Sequence, residues 1–141
     1  MASKIFLDAN LLLDITLKRE GYTPARALME IALEGKLHLY TTPSVLHITA
    51  YFTSQSYSIR ETRMILLTLL NDIQIIDADY DTVLAAISNT DWSDIEDAIQ
   101  YYTALHHNLD FFISADKKLK KSAIPQLPVL SSIEILKRLN K

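Results

Sequence analysis

Residues 4–14 read "KIFLDANLLLD". Ile5, Phe6 and Leu7 form an apolar run with no polar alternation, the pattern of a strand buried on both faces. Asp8 follows at once, where desolvating a carboxylate is expensive. Two readings fit. Asp8 is the N-cap of the helix that the next apolar run begins, a position where Asp is favoured. Alternatively, it is one of several acids gathered around a divalent cation.

The pattern of Lys4–Leu7 recurs along the chain. "LHLYT" (37–41), "IQIID" (73–77), "FFIS" (111–114) and a short "PVL" (128–130) read as further strands. Helical stretches lie between them. The first covers 10–19 and ends near Gly21. Thr23 and Pro24 read as N-cap and first residue of a second helix, which stops at Gly35. "PSVLHITAYFTSQ" and Tyr80–Ser88 read as helical. The S-x-x-E pattern of a capping box occurs three times, at Ser58/Glu61, Ser93/Glu96 and Ser131/Glu134. These boxes open helices running through Leu70, through His106 and to the C-terminal end. Strands alternating with helices predict a three-layer α/β/α sandwich around a central, mainly parallel sheet of four to five strands.

The chain has 141 residues, 49% of them hydrophobic, which suits one domain spanning 1–141 with a full core. With no cysteine, disulfides, thiolate metal sites and cysteine nucleophiles are excluded. No apolar run approaches the roughly 20 residues needed to span a bilayer, and no basic-then-apolar leader opens the chain. A cytoplasmic protein without membrane attachment is expected. The net charge of −3 gives no bulk attraction to nucleic acid, so such binding needs a local basic patch or a bound cation. Two glycines leave no phosphate-cradling loop, and no nucleophile elbow accompanies any Ser/His/Asp set.

Ligands in parallel α/β sheets bind beyond the carboxyl ends of the strands, where Asp8 and Asp116 both fall. Asp94 and Asp97 stand three residues apart at a helix start, on one face. Each has a plain explanation. Acids suit the positive end of a helix dipole, and Asp116 suits a turn before "KKLKKS". Together they can converge. Crowded carboxylates raise one another's pKa unless a cation intervenes, and Mg²⁺ or Mn²⁺ prefers oxygen ligands. Such a site suits phosphodiester hydrolysis. Lys117 and Lys118, in the strongest basic cluster, read either as a solvated helix face or as RNA-backbone contacts. The aromatics Tyr51, Phe52, Tyr57, Tyr101 and Tyr102 fall at helical spacing and read as core or interface.

"FLDAN", "DIEDAIQYYTAL", "FFISADKKL" and "PVLSSIEIL" together resemble the PIN domain, a family of metal-dependent ribonucleases that includes VapC-type toxins. The resemblance implies metal-binding acids at Asp8, Asp97 and Asp116, and a neighbouring acid at Asp94. It implies polar support from Asn10 and Ser114. It also implies a homodimer and a small antitoxin as partner. One departure is clear: "TTPSVLHITAYFTSQ" has no acid where the family usually carries a Glu. His47, Ile48 or Thr49 takes its place, and His47 reads as a core or surface histidine before it reads as a ligand. The leading expectation is a Mg²⁺-dependent endoribonuclease that is the toxin of a toxin–antitoxin pair. The missing Glu leaves a non-catalytic module binding RNA or protein as the alternative, and the same acids could also serve a structure-specific DNA nuclease.

Overall fold

A computed structural model describes residues 2–140. Five strands, β1 (Ser3–Leu7), β2 (Leu37–Thr41), β3 (Ile73–Ile75), β4 (Phe111–Ile113) and β5 (Val129–Leu130), form one sheet in the order β3-β2-β1-β4-β5. Every neighbouring pair is parallel. Ile5, Phe6 and Leu7 are all fully buried. Successive strand residues point to opposite faces, so protein covers both sides of β1 and the predicted three-layer arrangement is present. Phe6 sits opposite Phe112 on β4, and the rings stack 4.7 Å apart.

Chain order reverses in the middle of this sheet. β1, β2 and β3 step outward in one direction, and β4 and β5 continue from the other side of β1. The crevice between the carboxyl ends of β1 and β4 is therefore the topological switch point, where doubly wound sheets place their ligands. Thr41, fully buried at the end of β2, donates to Leu7 O at 2.9 Å and fixes the backbone just before Asp8.

The layers on the sheet are α1 (Ala9–Thr16), α2 (Tyr22–Leu33), α3 (Pro43–Ser56), α4 (Ile59–Leu70), α5 (Tyr80–Ser88), α6 (Ile95–His106), α7 (Lys117–Ser122) and α8 (Ser132–Leu139). The capping boxes at Ser58/Glu61 and Ser131/Glu134 form in both directions. Gly35, with φ +78°, ends α2 in the left-handed conformation that favours glycine.

Several predicted boundaries differ. α1 ends at Thr16 rather than Arg19. Lys18 turns left-handed there, and the Arg19 side chain folds back to Asp14 and to Asn10 O. α2 begins at Tyr22 with Gly21 as N-cap, so Thr23 lies inside the helix. A Cβ at Gly21 would fall 2.3 Å from the Asp14 carboxylate, so only glycine admits this close turn without displacing it. The Ser93/Glu96 box does not form: Asp94 caps α6, its carboxylate accepting from Asp97 N at 3.0 Å. The third strand stops at Ile75, two residues early, and Asp77 instead turns its carboxylate to Ala78 N.

Tyr101 settles the aromatic question for its position. It is fully buried on α6, and its hydroxyl donates to Leu127 O at 2.6 Å and accepts from Ile124 N at 2.8 Å. These bonds pin the loop between α7 and β5 to α6. Tyr101→Phe leaves both loop groups without a partner and should cost about 1–3 kcal/mol, read as a lower urea midpoint at unchanged slope.

Candidate functional site: a carboxylate hollow at the switch point

Three helices begin around the crevice, and an aspartate caps each. Asp8 accepts from Leu11 N at 2.9 Å at the start of α1. Asp94 opens α6, as above. Asp116 accepts from Lys118 N at 2.8 Å at the start of α7, and its own N–H donates to the Ser114 hydroxyl at 3.1 Å. Capping occupies Oδ1 of each carboxylate. The capping reading therefore holds for Asp8, Asp94 and Asp116.

The three caps line one hollow of about 370 Å³ together with Glu96 and Asp97. That volume lies at the small-ligand scale of about 300–1,000 Å³. Asn10 also lines it; its backbone oxygen accepts from Arg19 at 2.8 Å. Ser114 stands behind, buried, with its hydroxyl against Asp8 and the Asp116 N–H. Leu13, Val45, Ile48 and Phe52 give part of the lining an apolar character.

Burial drives the Asp8 carboxyl up to about 6, opposed by the Leu11 N–H and the Ser114 hydroxyl, while Asp14 raises it and Arg19 lowers it further. Asp97 also rises to about 6. Burial is again the largest cause, followed by the negative charges of Asp94, Asp116, Glu96 and Asp8. All four neighbours push the same way, as crowded carboxylates do.

Hard oxygen donors under mutual repulsion fit a divalent cation. Among the described residues no three His, Asp or Glu side chains stand close enough to form a ready cage. Mg²⁺ keeps several waters and is bound through one or two carboxylates plus phosphate oxygens, so it does not require such a cage. Asp8, Asp97 and Asp116, with Asp94 beside them, are the residues that could hold it.

The helix after β2 contributes no acid. Ile48 lines the hollow at the place left open in the sequence; His47 is exposed and lines no part of it, and Thr49 is buried, donating to Val45 O. Lys118 lines a neighbouring cavity shared with Asp94, Asp97 and Asp116, whereas Lys117 is exposed and lines neither. Two site residues escaped the sequence reading. Glu96 lines the hollow because Asp94 took the capping role. Gln100 lines it too, with its side-chain oxygen held by Thr42 Oγ1 at 2.6 Å. The i,i+3 and i,i+4 relations of Gln100 to Asp97 and Glu96 were the available signal.

The family model of the PIN domain matches residues 4–118. No curated protein matches. Among solved structures, VapBC2 from Rickettsia felis bound to a promoter DNA fragment is similar at 18% identity and TM-score 0.69, over 91% of this chain and 98% of that one. VapC20 from Mycobacterium tuberculosis, a toxin that cleaves the sarcin–ricin loop, is similar at 12% identity and TM-score 0.66, over 88% and 98%. A toxin–antitoxin complex from Klebsiella pneumoniae matches at 23% identity and TM-score 0.65, over 92% and 98%. At these identities the structures speak for the fold, while the family model spans most of the chain. The chain belongs to the PIN domain family.

Proposed function

We propose that the protein is a Mg²⁺-dependent endoribonuclease, the toxin of a toxin–antitoxin pair, acting in the cytoplasm. The observation that carries this reading is the gathering of Asp8, Asp97 and Asp116, from two strand ends and a helix start, in one hollow of a PIN-family chain. VapC20 supports RNA as the substrate, and the Klebsiella complex supports a protein antitoxin. Exposed Tyr51, Ile59, Met64 and Leu67 on α3 and α4 leave apolar surface for such an antitoxin or for a second copy of the chain. No helix among the described residues is long and apolar enough to cross a membrane.

A divalent cation bound in the hollow supplies charge neutralisation at the phosphate and acidifies water. The chain's own groups do the rest. Asp8 and Asp97 provide anionic oxygens once ionised, and Asp94 and Asp116 add negative charge beside them. Ser114 orients Asp8 and Asp116, and Asn10 and Gln100 offer polar contacts at the rim. Lys118 neutralises substrate phosphate.

Ile48 motivates the second reading, a non-catalytic module for RNA or protein. An apolar side chain where a carboxylate would face the ion weakens the donor set.

The purified protein should cut single-stranded RNA in Mg²⁺ or Mn²⁺, with DNA digested in parallel as the competing substrate. Asp8→Asn keeps the helix cap and removes the charge, so activity should fall by about 100-fold or more while the fold is retained. Cleavage that needs no metal and survives this change would rule out the mechanism. Ile48→Glu supplies the absent acid and should tighten Mn²⁺ binding by about tenfold in calorimetry; unchanged affinity would show that Ile48 does not face the ion.

The raised carboxyls set a pH dependence. Folded Asp8 and Asp97 bind protons more tightly than their unfolded counterparts near pH 4. Their contribution to stability is therefore full below that pH and is lost as pH rises through about 6. Thermal unfolding of the cation-free protein should show this decline, and Mg²⁺ should reverse it at neutral pH. Asp97→Asn should gain about 1 kcal/mol at pH 7.5 after discounting for solvent screening, and should lose much of the Mg²⁺ response.

A further inference from the structure

We propose that two cavities leading away from the carboxylate hollow form a track for single-stranded RNA, in which Lys118 and Lys121 hold phosphates and Trp92 stacks a base. The proposal rests on the reading of the hollow as the cleavage centre.

The cavities share walls in sequence. Asp94, Asp97 and Asp116 line both the hollow and a second cavity of about 250 Å³, which Trp92, Lys118 and Ser122 also line. Trp92 and Ser122 also line a third cavity, of about 350 Å³, together with Lys121 and Tyr102. A strand with one phosphate in the hollow therefore reaches Lys118 and the indole in the second cavity and Lys121 in the third.

The lysines of α7 divide by geometry. Lys118 and Lys121 are three residues apart, on one helix face. Lys120 is held by Glu134 at 2.8 Å, and Lys117 lines none of the three cavities. In a chain of net charge −3, two uncommitted cations beside the acids are a local anchor for a polyanion. Asp91 lines the third cavity as well and tempers its positive character.

Trp92 is built as a platform. It is half-buried and leans on Tyr101 and Tyr102, with ring centroids 5.0 and 6.3 Å away. Asn89 fixes the turn that carries it: its carbonyl accepts from Trp92 N, its side chain accepts from Asp91 N, and its amide donates to the Tyr102 hydroxyl. A pre-positioned aromatic ring next to phosphate-binding cations is how proteins hold unpaired bases, and a duplex has no free base face to offer.

Trp92 is the chain's single tryptophan, so its emission reports directly on the track. A short single-stranded phosphorothioate RNA, titrated in Mg²⁺, should quench it. With labelled RNA and anisotropy, Trp92→Leu should weaken binding by about 5- to 100-fold, and Trp92→Phe should retain most of it. Lys118→Glu and Lys121→Glu should each weaken binding more than the Lys117→Glu control. Lys118→Ala and Lys121→Ala should each lower the slope of log affinity against log salt by about 0.7. Unchanged emission on binding, Lys118 and Lys121 variants no weaker than the control, or duplex RNA or single-stranded DNA bound as tightly would overturn the track. Cleavage of ordinary RNA by the same preparation separates the two readings. Cleavage with a silent Trp92 sinks only the track; quenching without cleavage sinks the nuclease and keeps the track.

Discussion

Each of three aspartates does two things at once. Asp8, Asp94 and Asp116 each satisfy a backbone N–H at a helix start, and each borders the same hollow. This is possible because β1 and β4 are parallel neighbours at the point where the strand order reverses in the sheet. Their carboxyl ends emerge side by side, so α1 and α7, which follow them, start from the same crevice, and α6, which precedes β4, starts there too. The positive ends of those helices favour the acids that cap them, which helps the fold to tolerate negative charge gathered in one place.

The tolerance is incomplete. Asp97 caps no helix, and every acid around it raises its pKa. Asp8 pays a desolvation cost at the end of a fully buried strand, only partly offset by its hydrogen bonds. Natural sequences keep such local conflicts where function uses them. The rest of the molecule compensates with a well-packed centre: a continuous core from Phe6 and Phe112 to Tyr101, and buried hydroxyl bonds such as Thr16 to Thr53 at 2.9 Å.

The elements whose signals were local were legible. Apolar runs marked all five strands to within two residues at their ends, and two of three capping boxes formed as written. The failures share a cause: two residues competed for one role, and tertiary contacts chose. At α6, Asp94 out-competed Ser93 for the cap, which released Glu96 toward the hollow. At α2, Gly21, closely approached by Asp14, took the N-cap two residues before Thr23. Gln100 went unnoticed because a buried amide is informative only once its partner, Thr42, is known.

By itself the sequence determined the alternation of strands and helices, the placing of acids at strand ends, and the absence of an acid in residues 42–56. These depend on neighbours within a few positions, where propensity and capping chemistry act. Only the tertiary structure decided which acids share a hollow, that Ile48 rather than His47 faces it, and which lysines of α7 remain uncommitted. Those outcomes depend on the order of strands in the sheet and on helix rotation, and both are set by burial of the whole core.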